Sequence, residues 1–151
     1  MTKPTKLKLF KTLKQILFVT VVIFLATFLQ IYWAMGEFSD RMSSSCLDCS
    51  FFYDAFMMSL ITSVFMSILF SILYSIKNKY IKIAFEFTLL VSVWLYWNYT
   101  IFVERESSWS TYLFNEEINY TISLSFFPVL VLFTAVLFAL NYKKKKKKNY
   151  S

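Results

Sequence analysis

The sequence predicts an all-α integral membrane protein, a four-transmembrane-helix bundle with its N- and C-termini cytoplasmic. Three observations predict it. The 151 residues are 58% hydrophobic and only 17% charged, where a soluble chain carries about a quarter charged residues. Four apolar windows are each long enough, at about 20 residues, to cross the ~30 Å hydrocarbon core of a bilayer. The lysines all fall at one end of those windows and nearly all the acids at the other. The chain reads as one membrane domain, residues 1–151, with no segment large enough to form a soluble module.

The first window, about 15–36, is uncharged and follows Lys3, Lys6, Lys8, Lys11 and Lys14. Its basic start and Ala34-Met35-Gly36, small at the first and third positions, resemble a signal peptide. An apolar core near 20 residues exceeds the roughly 7–15 of a signal and favours an uncleaved span. The second window, about 55–76, is uncharged; the third, about 83–103, contains only Glu86. The tight turn between them carries Lys77, Lys79 and Lys82. The fourth window, about 120–142, holds Pro128, which removes a helical hydrogen bond and favours a kink. A lysine tail, 143–151, follows it and includes Lys143 to Lys148. A β-barrel is excluded, because barrel strands alternate polar and apolar residues and these runs are continuous.

Orientation follows from the lysines. Short cytoplasmic loops are enriched in Lys and Arg. The loops 37–54 and 104–119 hold eight acids and no lysine, only Arg41 and Arg105, so they are expected outside. Trp33, Trp94, Trp97 and Trp109 map to that outer interface, where amphipathic rings collect.

Within the second window serine recurs at 59, 63, 67, 71 and 75. Burial does not drive helices together in lipid, whereas small residues let backbones approach closely. The ladder is therefore expected to form a packing groove. Each four-residue step drifts ~40° around a helix, so a partner must cross at an angle. Each hydroxyl can bond its own i−4 carbonyl. Thr20, Ala26, Thr27 and Gln30 of the first window form the matching face. A polar conduit is the competing reading, but such tracks carry an ionisable group, and this window has none after Asp54. Glu86 is the membrane-embedded acid candidate. It lies four residues after Lys82, which favours an interfacial ion pair over a proton or cation site.

The two cysteines, Cys46 and Cys49, stand in "SSSCLDCSFFYD". Such a pair serves as a redox dithiol, half a metal site or a structural disulfide. Zinc wants four ligands, and with no histidine in the chain only Asp48 or Asp54 could join the thiolates, so no metal is expected. A helix start lowers a thiol pKa, while Asp48 and Asp54 oppose thiolate, so reactivity is left open by the residues. An oxidising exterior favours the disulfide Cys46–Cys49. Four spans with C-x-x-C at the outer start of the second also resemble the DsbB-type disulfide-generating quinone reductases. That resemblance implies that Cys46 and Cys49 pass electrons to a quinone cofactor and exchange with a second cysteine pair in the second outer loop. Here that loop, "ERESSWSTYLFNEEINY", has no cysteine, and the arginine expected shortly after the motif is replaced by Phe51, Phe52 and Tyr53.

In the second loop Trp109, Tyr112 and Leu113 have helical spacing, compatible with a short amphipathic turn. "NYT" at 98–100 and 119–121 has the glycan-acceptor pattern but lies against the membrane. The lysine tail is expected to meet anionic headgroups rather than nucleic acid, having no aromatic interleaving beyond Tyr142 and Tyr150.

These readings lead to a multi-pass protein of a bacterial-type inner membrane without a catalytic site: an accessory subunit of a membrane complex, or a small immunity or stress protein. Its expected partners are the bilayer, other membrane subunits or a second copy, and no cofactor is expected. The alternative is a thiol–disulfide, quinone-linked redox protein using Cys46 and Cys49.

Overall fold

Long uninterrupted runs of Leu, Ile, Val and Phe with one glycine in the chain leave little to break a helix, and breaks fall only where polar residues cluster. The computed structural model describes the backbone of residues 3–73 and 76–148, and the side chains of Phe10 and of residues 13–73 and 76–139. Four helices fill it: α1, Lys3–Met35; α2, Phe51–Leu73; α3, Lys79–Arg105; and α4, Phe114–Lys148. All four are long and apolar enough to cross a membrane. The shortest has 23 residues, which at ~1.5 Å per residue is about 35 Å. Single 3₁₀ turns, Gly36–Phe38 and Ser107–Trp109, follow α1 and α3.

Local chemistry sets the helix starts. The Ser50 hydroxyl accepts from the Tyr53 amide (3.2 Å) ahead of α2. Asn78 caps α3 by accepting from the amides of Tyr80 (3.0 Å) and Ile81 (3.4 Å). At α4 the Glu116 carboxylate reaches back to the Leu113 amide (2.9 Å), half of a capping box, and two acids in the first turn suit the helix dipole. That cap starts α4 within the predicted loop 104–119, and α2 likewise begins inside the predicted loop 37–54. Pro128 lies inside α4, which stays helical on either side of it.

The helices run up and down with α1 against α2, α4 and α3, and α3 against α4. One end of the bundle holds the 76–78 turn, the start of α1 and the end of α4; we call it the lysine end. The other, holding residues 36–50 and 106–113, is the cap end. Two apolar clusters make the core. Toward the lysine end lie Ile23, Ala26, Met66, Phe70, Leu90, Trp94, Val129 and Val136. Toward the cap lie Ile31, Ala34, Met35, Phe38, Phe51, Ala55, Ile101 and Phe102. Large apolar side chains also cover the outside, among them Leu25, Phe52, Phe65, Ile68, Phe85 and Phe126.

Candidate functional site: a polar layer beneath a clamped cap

Between the two apolar clusters every helix contributes polar side chains. α1 gives Thr27 and Gln30, α2 gives Ser59, Thr62 and Ser63, α3 gives Asn98, and α4 gives Thr121 and Ser125; all are buried. α3 ties this layer together. The Trp94 indole donates to the Thr27 hydroxyl of α1 (2.9 Å), the Trp97 indole to Thr62 of α2 (2.8 Å), and the Asn98 amide to Ser125 of α4 (2.8 Å). One segment of α3 thus bonds each of the other helices. The Asn98 carbonyl oxygen, both amide atoms of Gln30 and the Thr121 hydroxyl have no protein partner. Buried polar groups left so cost about 1–3 kcal/mol each.

This corrects one sequence expectation. Trp94 is wholly buried and belongs to the core, not to a headgroup belt. An indole N–H can enter an apolar interior once an acceptor is supplied, and Thr27 supplies it. Trp33 and Trp109 are half-exposed near the cap. The glycan-acceptor Asn98 is enclosed in the bundle and bonded to Ser125, which leaves no room for a sugar.

The serine ladder of α2 packs in part against α1. Ser59, Ser63 and Ser67 are buried. Ser59 donates to the Ala55 carbonyl (2.6 Å), Ser67 to that of Ser63 (2.6 Å), and Ser63 to that of Leu60 (2.9 Å). Ser67 also meets the Thr20 hydroxyl of α1 at 2.7 Å. Ser71 bonds the Ser67 carbonyl (2.8 Å) but is exposed, because the ladder drifts around the helix and leaves the interface there. Ser75 lies outside the described residues, as do the side chains of Lys143 to Lys148. Of the proposed face on α1, Thr20 meets α2, whereas Thr27 turns to α3. Nearer the cap the α1–α2 contact becomes aromatic, with Phe24 against Phe56, Phe28 against Phe52 and Tyr32 against Phe51.

The Cys46 and Cys49 sulfurs stand at disulfide distance, 1.98 Å, with Cα atoms 5.3 Å apart. What holds this loop is Arg105, the last residue of α3. Its side chain is 2% exposed. It donates to the Asp54 carboxylate (2.6 Å), to the Cys49 carbonyl (3.2 Å) and to the Arg41 carbonyl, and stacks over Phe51. Further bonds fasten the two loops to each other. Arg41 pairs with Glu106. Ser43 donates to the Glu104 carboxylate (3.1 Å), the Ser44 amide to the Glu104 carbonyl (2.8 Å), and the Trp109 indole to the Met42 carbonyl (3.1 Å). Glu117 of α4 accepts from Tyr99 (2.9 Å) and from Ser107.

Sequence reasoning did not single out Arg105. The signal available was an arginine between two glutamates at the close of an apolar run, with Asp54 at the start of the neighbouring one. Glu86 stands apart from all of this, 3.4 Å from Lys82 on the same face of α3 near the lysine end, both side chains largely covered. Among the described residues no cluster of three or more His, Cys, Asp or Glu could hold a metal ion. Compared with models of known families, with curated proteins and with solved structures, the chain matches none.

Proposed function

We propose that the protein is a multi-pass component of a bacterial-type inner membrane, with the lysine end cytoplasmic and the cap outside, acting without catalysis as an accessory subunit or a small immunity or stress protein. The observation that carries this reading is the Arg105 clamp. It bonds the backbone of the cysteine loop and pairs with Asp54, so Cys46–Cys49 is one strut of a braced cap. A braced outer surface on a bundle whose polar layer is used mainly to tie one helix to the next suits recognition better than turnover. The disulfide closes a very short loop and stabilises little through chain entropy; its role here is to shape the approach to Phe51 and α2.

One observation favours the redox reading as a second. Arg105 brings to Cys49 the cation that the resemblance to quinone reductases implies and that the residues after the motif lack. Trapping free thiols in cells by alkylation, with quinone supply varied, separates the two. A structural pair stays oxidised throughout. A reduced fraction that grows on quinone depletion, with mixed disulfides trapped in Cys46→Ser or Cys49→Ser, overturns the proposal in favour of the redox protein.

A further inference from the structure

Two adjoining clefts open near the cap, one between α1 and α4 and the other between the turn after α1, the end of α3 and α4. The first, of about 290 Å³, is lined mainly by apolar side chains, Trp33, Ala34, Leu124, Phe127 and Pro128, with Glu37 at its edge. The second, of about 240 Å³, lies further into the cap and is walled by Phe38, Phe102, Tyr112 and Tyr120, with Arg41, Glu106 and the same Glu37. Glu37 and Leu124 line both, so the apolar slot lies beside an aromatic, charged pocket.

The aromatic walls form a packed set. Phe38 meets Phe102 edge-on (5.6 Å between centroids), Phe102 lies parallel to Tyr120 (6.1 Å), and Tyr112 is edge-on to both Phe102 (5.5 Å) and Tyr120 (5.4 Å). Ring faces attract cations. The set already receives one, since the Arg41 guanidinium sits 5.2 Å over Phe38 while it pairs with Glu106. With Arg41 and Glu106 cancelling, the lining keeps one unbalanced negative charge, Glu37, which is exposed and has no ion-pair partner among the described residues. A ligand that fits must bring an ammonium group to Glu37 and an apolar tail to Trp33, Phe127 and Pro128.

We propose that this paired cleft binds a membrane lipid with an ammonium headgroup, of the phosphatidylethanolamine type. The ammonium lies against Glu37 and the rings. The adjoining phosphate lies toward Arg41, whose side chain is 50% exposed and has donors beyond those used on Glu106. An acyl chain runs down the α1–α4 slot. The inference rests on the membrane-inserted reading of the four helices but not on the identity of any protein partner.

The test is native mass spectrometry of the full chain released from nanodiscs made of equal parts phosphatidylethanolamine and phosphatidylglycerol. The expected result is one retained phosphatidylethanolamine, preferred roughly three- to tenfold over phosphatidylglycerol, the range of a single cation–π or charge contact at a partly exposed site. Glu37→Gln should abolish the preference and Tyr120→Leu should reduce it. Asp40→Asn, which changes an exposed acid outside the clefts, should leave it intact. Soluble phosphoethanolamine, the headgroup without its tail, should not compete. Equal retention of both lipids, or a preference that survives Glu37→Gln, overturns the proposal. Competition by the soluble headgroup overturns the lipid assignment. Extraction of the protein from membranes by alkaline carbonate would instead sink the inserted reading on which both proposals stand.

Discussion

Arg105 shows how one side chain can organise an end of a bundle. A guanidinium has five N–H donors in a fixed fork, and here they are spread over a carboxylate and two carbonyls that belong to α2 and the first loop. A lysine has one charged nitrogen and cannot span these acceptors. Arg105→Lys should therefore behave nearly as poorly as Arg105→Gln. Removing one partner of a buried pair costs about 3–5 kcal/mol. Asp54 stays 18% exposed and can recover some water, so a loss of roughly 2–3 kcal/mol is expected. Thermal unfolding in detergent measures it, and a lysine variant as stable as the parent would show that the fork geometry does not matter. Cys46→Ser combined with Cys49→Ser should cost less, about 1–2 kcal/mol, because the loop it closes is short and Arg105 still grips the Cys49 carbonyl. A loss larger than that of Arg105→Gln in the same unfolding assay would make the disulfide the primary brace.

At the scale of the helix, the small residues of α2 set how closely α1 approaches. Ser67 is closed in and in contact with Thr20, so Ser67→Leu must force the helices apart, at a cost of about 1–3 kcal/mol. Ser67→Ala keeps the groove and loses a hydroxyl contact worth about 0.6 kcal/mol. Ser71→Leu should be nearly neutral, because Ser71 already faces outward. Unfolding midpoints of the three variants test the order, and an alanine variant as damaged as the leucine one would point to a polar role for the ladder. The helices themselves were legible in the sequence because apolar length and charge placement are local properties. The partners were not. Serine periodicity marks a groove without saying where it leaves the interface, and nothing in "WLYWNY" tells that Trp94 points inward while Tyr96 points out. Arg105 and Asp54 are 51 residues apart, and their pairing depends on how α2 and α3 meet at the cap.

Over the whole molecule, charge is separated along the bundle. The cap end holds Arg41 and Arg105 against eight acids, a net −6, while the lysine end holds fourteen lysines against Glu86, a net +13. Arg41 and Arg105 are moreover engaged with Glu106 and Asp54, and Glu86 with Lys82. Lys and Arg in short loops, rather than acids, set topology. With the start of α1, the end of α4 and the turn at 76–78 on the lysine side, the lysine-bearing segments all favour the same orientation. In a background with Cys46 and Cys49 replaced by serine, Ser108→Cys should react with a membrane-impermeant maleimide in intact cells. Lys77→Cys should react only after the membrane is opened. Both positions are exposed, so a difference reports sidedness rather than burial. Labelling of Lys77→Cys in intact cells, alone or together with Ser108→Cys, would reverse the orientation or mix it. It would then put the cysteine loop in a reducing compartment, where a structural disulfide is not maintained.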